Sequence, residues 1–232
     1  MEASGTSDGD VVDLGSRGRW QRRVLVTPWL EHDDDLEAIV RDTCAPHLVD
    51  GAEQFVVVTE KVVSIAADLA VDVAEIDVGG LARFLAARIR PRGDSLALAV
   101  PEKMQWVIDT VGPVRVIVAA LASAITRPFR VSGAFYAIAG RNARSVDGVR
   151  GVYPETLLPP LDRGTASAWT DRFVSVLGTP TSIIDYNDRG GSIRSAVGVD
   201  RSLVTALVSD NPLGSRDMST PVAVFTKLSD AT

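Results

Sequence analysis

The chain has 232 residues, 46% of them hydrophobic and 23% charged, an ordinary globular composition with length for one large α/β domain or two small ones. Its 24 basic against 30 acidic residues give a net charge of -6, which disfavours attraction to nucleic acid or anionic lipid. The single Cys44 excludes an internal disulfide and fits a reducing cytoplasm.

The opening MEASGTSDGDVVDLG is acidic and rich in small residues, without the continuous apolar run of a secretory signal, and residues 1 to about 22 read as a mobile tail. RRVLVTPWL reads as a first strand ending at Pro28. HDDDLEAIVRDTCAPHLV follows as a helix with Asp33 or Asp34 as N-cap, and Cys44 at helical spacing is a small core residue. Residues 54 to 59 form a buried strand that runs into a helix from about 60. VGGLARFLAARI (78 to 89) has helical spacing. PEKMQWVIDTVG starts a helix at Pro101 and stops it at Gly112.

The most apolar run, VRVIVAALASAI (114 to 125), is too short to span a bilayer, which takes about 20 apolar residues, and Arg115 interrupts it. SGAFYAIAG alternates like a strand and makes Tyr136 a core-packed strand residue. TASAWTDRFVSVLG is an amphipathic helix capped by Thr165 and stopped at Gly178. TSIID is a strand, DRSLVTALVSDNPLG a helix capped by Asp200, and TPVAVFTKL a last strand. The fold class is therefore mixed α/β (α+β), a mixed sheet with flanking helices, without the regular alternation of a doubly wound sheet. The proline-rich link at 154 to 164 is the expected lobe boundary, between a larger N-terminal and a smaller C-terminal lobe of one domain over 23–232. The expectation is a cytoplasmic protein without membrane or nucleic-acid partners.

Several chemistries are missing. There is no phosphate loop, no G-x-G-x-x-G after a strand, no C-x-x-C pair and no zinc-spaced histidine pair. His32 and His47 are the only histidines and neither belongs to a triad pattern; His32 reads as a solvated residue at a helix start.

IIDYNDRGGSIRSAVG (183 to 198) is the one concentrated polar stretch. It departs from a calcium loop, because Arg189 falls where an oxygen ligand belongs and Ala196 where the bidentate glutamate belongs. Two readings stay open. The stretch can be a solvated, Gly-rich turn. Alternatively Asp185 and Asp188, at the carboxyl end of a strand, are oxygen ligands for magnesium or manganese, with Gly190 and Gly191 allowing close approach. Arg189, Ser192 and Arg194 could then donate to phosphate, although for Arg194 a surface charge is the favoured reading.

VVVTEKVVSIA (56 to 66), GAFYAIAGRNARSVDG (133 to 148), IIDYNDRGG and DNPLGSRDMSTPVAVF (210 to 225) lie in the same order as in the γ-glutamyl ligases of deazaflavin coenzyme F-420. The chain resembles the shorter bacterial members of that family over about residues 23 to 228. The resemblance implies an α/β fold, often dimeric, and ATP- or GTP-dependent amide ligation. In that reaction the γ-phosphate activates a carboxylate as an acyl phosphate, an amino acid's amine attacks, and divalent ions hold the phosphates.

Position by position, Asp185 matches the family's strand-end metal aspartate, and Glu60 and Lys61 match its nucleotide contacts. Asn142 aligns with a second metal aspartate; with an amide there, a second metal would be held more weakly, or Asp147 would have to substitute. Ile65 replaces a lysine of the glutamate-adding enzymes, and their Gly-rich segment after the last strand is missing. The resemblance thus implies a ligase with a different carboxylate and amine pair, in cofactor or secondary-metabolite biosynthesis. The alternatives are a nucleotide- or metal-binding relative without ligation and a metal-dependent phosphate-ester hydrolase. Asp210 is an outside candidate for acceptor binding.

Overall fold

The computed structural model describes residues 9–89, 97–129, 133–140, 142–143, 146–148, 156–187, 190–214 and 220–229. It divides into two compact units, one made of Met1–Asp68 with Leu161–Thr232 and the other of Leu69–Pro160. The protein is mixed α/β, as its sequence predicts. The lobes are arranged differently from expectation. One chain crossing does fall inside 154 to 164, but the second unit is an insertion rather than an N-terminal lobe.

The first unit is built on a six-stranded sheet. Its strands are β1 (Asp10–Asp13), β2 (Arg19–Leu25), β3 (Gln54–Thr59), β7 (Thr181–Asn187), β8 (Gly190–Val197) and β9 (Val222–Lys227), in the order β1-β2-β9-β3-β7-β8. Only β3 and β7 run parallel. Parallel neighbours need a crossover, and here it leaves β3 through α2 (Glu60–Ala66), passes through the inserted unit and returns along α7 (Arg163–Leu177). The central strands are apolar on both faces, as strands covered on both sides must be. In β3, Phe55 and Val57 join Trp20, Phe225, Ile184 and Leu207 in one cluster with α8 (Arg201–Val208). Val56 and Val58, equally buried, point the other way. There α1 (Leu36–Cys44) and α7 contribute Leu36, Val40 and Phe173.

Caps set the helix starts. Asp200 accepts from the Leu203 amide at 2.9 Å, as expected. α1 is capped by Asp35, which accepts from the Ala38 amide, and not by Asp33 or Asp34. Asp162 rather than Thr165 caps α7, and Gly178 stops it in the left-handed region at φ 63. Cys44 is fully buried, and that burial pushes its thiol up to about 12, so it is a core residue.

The N-terminal expectation is overturned. Residues 10–22 are not a tail, because β1 and β2 form a hairpin on the edge of β9. Trp20 drives this, being 1% exposed with its ring 5.6 Å from that of Phe55. Arg22, also buried, donates to Asp10, to Asp210 at 2.6 Å and to the Leu207 carbonyl at 3.1 Å. Asp210 is therefore a structural partner of Arg22, which holds its carboxyl below the usual range.

The second unit is largely helical, with α3 (Gly80–Ala86), α4 (Pro101–Val111), α5 (Pro113–Thr126) and α6 (Ala134–Ala139) around Met104, Val107, Val116 and Ala119. It also holds a three-stranded antiparallel sheet in the order β4 (Val71–Asp72), β6 (Thr156–Leu158), β5 (Asp147–Gly148). AFYAIA is a helix, not the expected strand. Gly133 and Gly140, at φ 88 and φ 90, break the chain on either side of it, and Phe135, Tyr136 and Ile138 pack on the helical core. Among the described residues no single helix is long and apolar enough to cross a membrane.

Replacing Trp20 by Ala should destabilise the fold by about 3–5 kcal/mol in urea denaturation, the cost of emptying a large aromatic site. A residue in a mobile tail would give no change.

Candidate functional site

The carboxyl ends of β3 and β7 bring two acidic residues together. Thr59 and Ile184 are register partners on these parallel strands, so Glu60 and Asp185 are the next residues on each chain. Glu60 opens α2, with Thr59 as its cap position. Asp185 continues β7 and lies opposite Ser192 on β8. This is the edge at which α/β sheets hold ligands.

Arg194 reaches this pair through an irregularity in the β7–β8 ladder. Ile184 is opposite Ile193 and Ile183 opposite Ser195, so Arg194 is the extra residue of a β-bulge. A bulge re-aims a side chain that regular alternation would send elsewhere. The guanidinium Nη2 donates to Asp185 Oδ2 at 2.6 Å and lies 2.9 Å from Glu60 Oε2. The side chains of Arg194 and Glu60 are 5% and 8% exposed, and that of Asp185 is 34% exposed. Glu60 Oε1 also accepts the Leu161 amide at 2.6 Å. Two buried atoms, Arg194 Nε and the Ser64 hydroxyl on α2, have no hydrogen-bond partner among the described residues.

The hairpin that carries Asp185 depends on glycine. A Cβ on Gly191 would lie 2.1 Å from the Asp185 carbonyl oxygen and 2.5 Å from Tyr186 Cα. Gly190, at φ 105, makes the turn in a region that other residues rarely adopt.

The expected site residues are distributed as follows. Glu60, Asp185 and Arg194 meet. Ser192 is exposed across the ladder from Asp185, and Lys61 is exposed on α2 beside Glu60. Asp188 and Arg189 lie outside the described residues. Asn142 and Asp147 belong to the Leu69–Pro160 unit, where the Asn142 carbonyl accepts the Val146 amide at 3.1 Å and Asp147 pairs with Leu158 in the small sheet. One expectation is corrected: Arg194 is not a surface charge. Glu60, expected as a nucleotide contact, has a buried side chain. The Leu161 amide, which fixes Glu60, lies in the proline-rich link and has no side-chain signature.

Glu60 and Asp185 as placed do not fit a divalent ion. The cation between them is the Arg194 guanidinium, and among the described residues no three His, Cys, Asp or Glu side chains form a metal-ligating group. The cluster's charge is set by Glu60. Burial pushes its carboxyl up to about 7, with Arg194 opposing the shift and the negative charge of Asp185 adding to it. Below that pH the three groups sum to zero; above it they carry one net negative charge. Comparison with models of known protein families finds no match, and no curated protein matches the chain.

Because Glu60 titrates higher in the folded chain than in the unfolded one, its stabilising contribution is present below about pH 4.5 and lost as the pH rises through 7. Glu60→Gln removes this dependence. Urea unfolding at pH 5 and pH 8 should therefore find the variant gaining stability relative to the parent at the higher pH. A constant difference between the two chains at both pH values would refute the raised value for Glu60.

Proposed function

We propose that the protein joins a carboxylate to an amine at the expense of ATP or GTP, at the carboxyl ends of β3 and β7. The observation that carries this reading is the Glu60–Arg194–Asp185 cluster, since the two sequence stretches that supply its carboxylates, 56–66 and 183–191, are among those resembling the amide ligases. A third such stretch forms β9, on the other side of β3. The stretches at 56–66 and 183–191, far apart in the sequence, bring Glu60 and Asp185 to one end of the parallel strand pair.

In this reading magnesium or manganese enters with the nucleotide as part of that substrate, held by its phosphates. The γ-phosphoryl group passes to an oxygen of the acceptor carboxylate, leaving ADP or GDP and an acyl phosphate. The amine nitrogen then attacks the acyl carbon, inorganic phosphate leaves, and the amine gives up a proton. Asp185 is the member of the cluster that a substrate can reach. Its carboxylate, oriented by Arg194, is suited to receive the amine's ammonium group and take that proton. Glu60, titrating near neutrality beneath it, sets how strongly the cluster attracts a cation.

A second reading, a binding protein without turnover, is favoured by one observation. Arg194 already neutralises the carboxylates that would otherwise face a substrate.

A product assay over pairs of carboxylates and amines separates these readings. The ligase should release nucleoside diphosphate only when both substrates are present, and Asp185→Asn should lower kcat/KM by about 100-fold or more in protein that circular dichroism shows to be natively folded, with a lower melting temperature because buried Arg194 loses a charge partner. Release of nucleoside monophosphate would exclude the mechanism, amine-independent phosphate release would favour hydrolysis, and nucleotide binding without turnover would favour the binder.

A further inference from the structure

Two carboxylates leaving adjacent parallel strands at one register position are a ready cation site. Hard divalent ions are often held by one or two carboxylates, with water completing the shell. Glu60 and Asp185 have that arrangement, yet the positive charge between them belongs to the chain. Arg194 Nη2 lies 2.9 Å from one carboxylate and 2.6 Å from the other, on a side chain only 5% exposed. The bulge that brings it there exists at this residue alone on the β7–β8 ladder. A guanidinium is permanently charged, planar and less strongly hydrated than an ammonium ion, so it tolerates burial where a metal ion with its water shell needs more room. One gap cannot hold both.

We propose that Arg194 is a resident cation that takes the position of a divalent ion between Glu60 and Asp185 and so closes this carboxylate pair to metals. Arg194 is thereby a specificity-determining residue. Removing it converts the pair into a metal site, and any ion that a nucleotide brings is held by phosphate and not by this pair. The inference rests on the geometry of the cluster and stands whether or not the protein is a ligase.

The test is Mn2+ binding to the full chain, followed anaerobically by electron paramagnetic resonance and calorimetry at about pH 8 and about pH 9, the higher value because removing Arg194 takes away a cation that lowers the Glu60 carboxyl. The parent is compared with Asp185→Asn, Arg194→Gln, Arg194→Lys and the double variant Arg194→Gln/Asp185→Asn. The parent and Asp185→Asn should bind Mn2+ equally weakly. Arg194→Gln should gain one site at least about tenfold tighter, which the double variant loses again. Arg194→Lys keeps the charge and should stay closed. A natively folded Arg194→Gln without any gain would overturn the proposal. So would a parent site that disappears in Asp185→Asn, because that ion would then share the pair with Arg194. If Arg194→Gln fails to fold, the parent and Asp185→Asn decide the matter: equal binding supports a closed pair, and loss of a site in Asp185→Asn refutes it.

Discussion

The buried guanidinium of Arg194 is the interaction on which the carboxyl ends of β3 and β7 depend. Taking charges out of water is costly, and an ion pair recovers that cost only when its geometry is good and its remaining atoms are bonded. Here the register of two parallel strands sets the carboxylates side by side, a bulge delivers the arginine, and the Leu161 amide bonds the outer oxygen of Glu60. Remove the arginine and two acids are left facing each other at low dielectric. Glu60 and Asp185 therefore share a cation supplied by a third residue on a different strand.

The chain uses the same device a second time with a different result. Arg22 also joins two carboxylates, those of Asp10 and Asp210, but these are 67% and 58% exposed. Water screens that group, and its work is mechanical, holding the N-terminal hairpin to the end of α8. Around Arg194 one carboxylate is buried and one is half open. Only there does the local environment move a carboxyl group towards neutrality, which is the condition for proton transfer near physiological pH.

Much of this was legible from local signals. The passage from β3 into α2 at Thr59 and Glu60, the start of α4 at Pro101 and the Asp200 cap are written into a few neighbouring residues each. What escaped depends on distant partners. Residues 10–22 look polar, and the apolar cluster that buries their one strong anchor, Trp20, is built from distant residues such as Phe55 and Phe225. AFYAIA is too short for periodicity to separate helix from strand, and flanking glycines with a helical neighbour decide it. Asp185 could be picked out because it ends an apolar strand. Burial of Arg194 could not, since it follows from a register irregularity that no spacing rule encodes.

The inserted unit has a consequence for how the sheet assembles. β3 and β7 cannot pair until the chain between them has gone out and returned, a loop of roughly 120 residues whose closure opposes folding. Within the inserted unit, however, β4 and β6 are antiparallel partners, with Val71 opposite Leu157 and Asp72 opposite Thr156. They join the first and last parts of the insertion. Once that clasp has formed, the loop shortens to an effective length of roughly 36 residues, which lowers the closure entropy by about 1 kcal/mol. The small sheet, although it belongs to the other unit, thus bears on the rate at which the acidic pair is brought together, and changes at Val71 or Leu157 would be felt in folding kinetics before any step of chemistry.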